Sequence, residues 1–291
     1  MRGRSQAVTV ASVFAVLAPL LPPLSFLTGG IVGLATLRNG LQEGIIVVVG
    51  SIILTAILLF VALGSPTPVV GFILVWVPIV IFAETLRRTG SQSLPIATAA
   101  VLGVVAVTVG RMQLGDPTAW WTETLGRLFE QVGQQANVTL NDEGVTAFIS
   151  GWAPHMTGLL GSSLVLSWLV TLLLARWWHS ILDNPGGFAS EFRALNLPSW
   201  LAGITGALVL FALLQPTREF AVDLLLVLIV VYVFQGLAVA HSFVAAKRIS
   251  RGWLISLYVL MVVAWWPLVV MLGTVGLAET WVRLRARLTT T

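Results

Sequence analysis

Residues 44–63 read GIIVVVGSIILTAILLFVAL and carry no ionisable side chain. A helix needs about 20 predominantly apolar residues to cross a hydrocarbon layer, and this stretch supplies them without a break. It stops at Gly64-Ser65-Pro66, a combination that ends helices.

Working outward, similar runs lie on both sides. Upstream, one runs from about Ala7 to Leu21 and stops at Pro22-Pro23, and a shorter one from Leu24 to Leu37 stops at Arg38-Asn39-Gly40. Downstream, runs extend from about Val69 to Leu86, ending at Arg87-Arg88, and from about Leu94 to Gly110. A polar stretch over 111–144 gives way to a long apolar segment ending at Trp177-Trp178. After a turn-rich loop, His179 to Pro198, come runs at Trp200–Leu214, Phe220–Ala246 and about Trp253 to Ala278.

The whole chain follows suit. Of 291 residues 57% are hydrophobic and only 10% charged, with a mean hydropathy of +0.95. Soluble domains carry roughly a quarter charged residues, so lipid is the expected solvent. The expected fold is all-α: a polytopic transmembrane helix bundle of about 9–10 spans. The sequence divides into residues 1–178 with six helices and the polar segment 111–144, an elbow at 179–198, and further helices at 199–291. There are no cysteines, which excludes disulfides and thiolate metal sites.

Charge placement orients the bundle. The net charge of +4 is almost all arginine, Lys247 being the only lysine. With the N-terminus inside and one crossing per run, Arg2, Arg4, Arg38, Arg87, Arg88, Arg176, Arg193, Lys247, Arg248 and Arg251 face the cytoplasm. Arg111, Arg127 and Arg218 alone face outward. Arg283, Arg285 and Arg287 join the inner set only if the last run, interrupted by Pro267, is two half-spans that return, and that reading is favoured. The expected location is a bacterial inner membrane. No nucleic-acid-binding stripe is present.

Asp116-Pro117 reads as a helix cap followed by proline in the first turn. Trp121, Leu125, Leu128, Phe129 and Val132 then fall on one helical face, with Glu123, Arg127 and Glu130 on the other. Such a helix anchors at the outer interface or forms a lid over a cavity.

No enzyme motif is present. G-x-x-x-x-G-K-[ST], H-E-x-x-H and G-x-S-x-G are all missing, and His155, His179 and His241 are too far apart for metal-ligand spacing within one helix. The chain is read as no enzyme, with no metal and no cofactor. Polar groups inside apolar runs are the candidates for function, because they are costly there. Glu84 has Arg87 and Arg88 at i+3 and i+4, which suits a salt bridge. Asp223, one turn after Glu219 at a helix start, suits the macrodipole. Gln235 and His241 point about 120° apart on their helix and suit interhelical hydrogen bonds or, alternatively, a proton relay.

Two surfaces suggest partners. Asn184-Pro185-Gly186-Gly187 makes a tight turn needing positive φ. Phe188, Phe192 and Leu195 follow at helical spacing, forming a structural elbow or a dock for a cytoplasmic partner. Ala7, Ala11 and Ala15 stand four apart, which leaves a shallow stripe for close helix packing in lipid, expected to be exposed.

The string Arg176 to Pro198, residues 235–241 (QGLAVAH) and the arginine-rich end resemble the proteobacterial version of the YybS-like family of membrane proteins. That family carries no agreed activity to transfer. The first six runs also resemble the S components of energy-coupling-factor transporters, which bind a small molecule near the outer face and dock to a coupling subunit through an Ala-x-x-x-Ala motif. Ala7, Ala11 and Ala15 match it. The resemblance implies a small organic ligand, a transmembrane coupling subunit and its ATPase. The alternative is a membrane scaffold recruiting a cytoplasmic partner through 179–198.

Overall fold

The computed structural model describes residues 3–136, 142–215, 219–250 and 252–288; Arg2, Arg218 and Arg251 of the charge count lie outside them. All described secondary structure is helical. The helices are α1 (Arg4–Leu17), α2 (Leu24–Asn39), α3 (Leu41–Leu63), α4 (Val69–Thr89), α5 (Ser93–Leu114), α6 (Pro117–Ala136) and α7 (Asp142–Trp152). They continue with α8 (Met156–Asp183), α9 (Gly187–Arg193), α10 (Ser199–Leu214), α11 (Glu219–Ala246), α12 (Gly252–Val263), α13 (Trp265–Val282) and α14 (Leu284–Leu288).

Among the described residues, six segments are long and apolar enough to cross a membrane: α3, α4, α5, the Glu143–Asp183 segment, α11 and α13. Helices α1, α10 and α12 are apolar but shorter. The chain is a multi-pass integral membrane protein, because only helices that satisfy their own backbone can cross lipid in this form.

Helix α2 lies inside the bundle rather than against lipid. Its glycines allow this: a Cβ at Gly33 would stand 2.8 Å from that of Ala175 on α8, and one at Gly30 would stand 3.0 Å from the Trp178 ring. Small residues let helix axes approach where apolar transfer supplies no driving force.

Ala7, Ala11 and Ala15 do not form an exposed stripe. They are 6%, 0% and 0% exposed and belong to the main apolar core, packed between α2 and α3. Thr9, Val13 and Leu17 face outward instead. The small side chains do let helices meet closely, but the helices they admit belong to this chain.

Ion pairs gather the arginines at one end. Arg4 binds Glu43 at 2.7 Å, tying the starts of α1 and α3, and Arg38 binds Asp183 at 3.0 Å, tying the ends of α2 and α8. Arg87 lies against Gly40. Arg111 and Arg127 sit at the opposite end, beneath or within a cap made by α6 and α7.

The last apolar run is two helices. It breaks at Ala264, so that Pro267 falls in the first turn of α13, where an amide hydrogen is dispensable. Arg285 Nη1 donates to Arg193 O at 2.7 Å, and Ser242 Oγ donates to the same carbonyl at 3.0 Å. The chain therefore returns, after α12 and α13, to the arginine-rich end.

The cap begins as its sequence implies, with Ala119 N–H donating to Asp116 Oδ1 at 3.0 Å. Trp121, Leu125 and Phe129 pack on Val145, Ile149 and Ala153 in a small core of their own. Leu128 and Val132, on the same apolar stripe, are 50% and 55% exposed. The apolar segment after 144 is likewise interrupted, by a 3-10 turn at Ala153–His155 containing Pro154.

Candidate functional site

The end of α5, the start of α11 and the turn before α8 converge beneath the cap. Asp223 is fully buried there, and Arg111 Nη1 donates to its Oδ2. Arg111 also stands 3.6 Å from Glu219 and lies over the Phe220 ring at 5.8 Å. His155 Nδ1 is 3.8 Å from Asp223 Oδ1, and among the described residues neither atom has a hydrogen-bond partner. Gly158 admits the carboxylate, since a Cβ there would stand 2.6 Å from Asp223 Oδ1. A carboxylate at this depth is held by a guanidinium because an unpaired buried charge costs several kcal/mol.

Two grooves flank this cluster. One, of about 370 Å³, lies between α5, α6 and α8 and is lined by Gly110, Gln113, Trp120, Trp121, Leu160 and Leu164 among others. Trp121 Nε1 donates to Thr157 Oγ1 at 2.9 Å, which fixes one indole as a wall, while Trp120 meets it edge to face at 4.6 Å. The second, of about 320 Å³, is lined by Arg111, Thr108, Gly115, Pro117 and Phe220. Apolar walls with a few polar groups are the usual make-up of small-molecule sites.

The sequence candidates are not brought together. Glu84 lies at the other end, bound to Arg87 at 3.0 Å and to Arg88 at 2.6 Å. Gln235 is fully buried and fully used: Leu197 N–H donates to its Oε1 at 2.6 Å, and its Nε2 donates to Gly276 O at 2.6 Å and to Thr280 Oγ1 at 3.1 Å. It ties α11 and α13 to the loop before α10. His241 Nε2 stands 2.9 Å from Tyr258 OH and meets Phe192 edge to face. Trp265 and Trp266 pack on each other at the Ala264 break, 53% and 46% exposed.

Phe192 is not an exposed partner contact. It is 8% exposed, turned into the bundle against His241, while Phe188 stacks on it half-buried. Leu195 and Leu197 follow it inward at 1%. The elbow is held from both sides: Gly186 takes φ +85°, Ser180 Oγ accepts from Phe188 N–H at 3.1 Å, and Arg176 grips Glu191 with two donors.

The sequence suggests the dipole of its own helix as the partner of Asp223, whereas the main partner is Arg111 on α5. Only matched signs at the ends of two apolar runs hinted at this. His155 gave no hint, lying in a proline-containing turn remote in sequence from both.

Comparison with known proteins returns no counterpart, as no family model, curated protein or solved structure matches the chain. The fold alone defines its class, an all-helical multi-pass membrane protein.

Proposed function

We propose that the chain binds a small organic molecule in the groove between α5, α6 and α8, as the substrate-binding component of a transporter does, and relies on partner subunits for any energised step. The carrying observation is the groove itself, walled by two indoles and roofed by an amphipathic cap, beside a buried ion pair. The lack of a phosphate-binding loop motif accords with an external energy source. The buried alanines of α1 lend no support to coupling, so partner contacts must lie elsewhere. Apolar walls with the Gln113 amide suit a ligand that has an apolar body and a hydrogen-bonding edge.

The test is native mass spectrometry of the detergent-purified full chain. A retained small-molecule mass is expected, with Trp120→Ala or Gln113→Ala lowering affinity about tenfold. Both side chains are exposed enough for the fold to tolerate the change. A bound mass indifferent to both substitutions, or no bound mass, would count against the reading.

We place the arginine-rich end in the cytoplasm of a bacterial inner membrane, with the cap outside, on the bias of arginine and lysine toward cytoplasmic loops. A cysteine at Gln134 should then react with a membrane-impermeant maleimide in intact cells, and one at Ser190 should not. Both positions are exposed, so reversed labelling would invert the orientation.

A further inference from the structure

At the arginine-rich end, α1, α2 and α3 enclose a cleft of about 290 Å³ remote from the cap. Its floor is apolar, with Ile31, Leu34 and Ala35 on α2, and its mouth carries Arg4, Arg38, Asn39 and Glu43. The carboxylates at this mouth are already paired. Both Glu43 oxygens accept from Arg4 Nε, at 2.9 and 2.7 Å. Asp183 is bound by Arg38 through Nη2 at 3.2 Å and Nε at 3.0 Å.

The donors are not used up. Among the described residues, the Nη groups of Arg4, Nη1 of Arg38 and the Asn39 amide make no hydrogen bond. Arg87 adds charge nearby: its guanidinium lies against Gly40, and it shares the single carboxylate of Glu84 with Arg88. A mouth with surplus donors and paired carboxylates selects an anion. The apolar floor below it selects a ligand whose other end is hydrocarbon, and the cleft lies at the start of α3, a helix long and apolar enough to cross a membrane, which sets it at the bilayer boundary. Basic clefts between membrane helices hold lipid headgroups by this combination of charge and depth.

We infer that this cleft is a site for the phosphodiester headgroup of an anionic phospholipid. The phosphate lies between Arg4, Arg38 and Asn39, and the first acyl carbons lie along Leu34 and Ala35. Free phosphate offers the same oxygens without the chain, so the experiment separates the two.

The detergent-purified full chain is titrated with phosphatidylglycerol, phosphatidylcholine or inorganic phosphate and read by native mass spectrometry. Phosphatidylglycerol is expected to bind about tenfold more tightly than phosphatidylcholine. That preference is expected to disappear in Arg4→Gln/Asn39→Leu, which removes charge-assisted donors but leaves the Arg38–Asp183 pair intact. Leu34→Trp, which narrows the floor without touching an ion pair, should weaken phosphatidylglycerol binding by itself, and it reads the site should the double variant not fold. Arg127→Gln, at the other end, should leave binding unchanged. Equal binding of both lipids, no loss in either cleft variant, or displacement of the lipid by millimolar phosphate would each overturn the assignment.

Discussion

Gly276→Val is expected to lower the thermal unfolding midpoint of the detergent-solubilised protein by on the order of 10 °C, from a loss of about 3 kcal/mol. Helices α11 and α13 are in backbone contact there. A Cβ at Gly276 would overlap Tyr232 O and stand 2.8 Å from Gly236 N, and one at Gly236 would stand 2.8 Å from Leu272 C. None of these atoms belongs to a side chain that can turn away, so α13 must move as a whole. Its displacement also withdraws Gly276 O from Gln235, stranding a buried amide that binds the loop before α10. Gly203→Ala on α10 is the control, since nothing among the described residues lies within 4 Å of its Cβ position. Equal midpoints for the two variants would show that the α11–α13 contact does not limit stability.

Arg111→Ala should cost about 3 kcal/mol, since it leaves the fully buried Asp223 carboxylate without its guanidinium. Arg111 is itself 16% exposed, which puts the expected cost toward the lower part of the range for buried pairs. The double variant Arg111→Met/Asp223→Leu should recover most of that loss, because apolar replacements of both partners remove the desolvation cost along with the attraction. Recovery measured in a denaturation cycle identifies the pair as the determinant. A double variant no more stable than Arg111→Ala would mean that the local packing of Phe220 and His155, not the charge, fixes this corner.

Local signals carried far along this chain. The apolar runs, their proline and glycine stops and the Asp116 cap all depend on residues within one or two turns of each other, and most appear where the sequence puts them, although α1 already ends at Leu17 and the segment after 144 is broken at Ala153–His155. Glu84 with Arg87 and Arg88 is legible for the same reason: partners one turn apart on a helix meet whatever the rest of the bundle does. Pro267 marked the divided last run, although the break falls at Ala264, because proline is accommodated in the first turn of the second helix rather than at the break itself.

The candidate site was far less legible. In water, an apolar stripe shows which face of a helix is buried. In lipid both faces are apolar, so periodicity no longer distinguishes core from bilayer. Ala7, Ala11 and Ala15 illustrate this: spacing showed a surface made for close packing, and only the positions of α2 and α3 show what fills it. Phe192 is similar, an aromatic on a short amphipathic helix whose burial depends on His241 of α11.

That the chain is a helical membrane protein, where most helices begin and end, and which ends carry the arginines can all be read from the residues in order. These follow from hydropathy, backbone constraints and charge, all of them local. The meeting of α5, α8 and α11 at Asp223, the indole-walled groove under the cap and the donor-rich cleft between α1, α2 and α3 emerge only on folding. Those features join residues far apart in the chain, and their contacts arise from steric fit between helix surfaces that are equally apolar in the sequence.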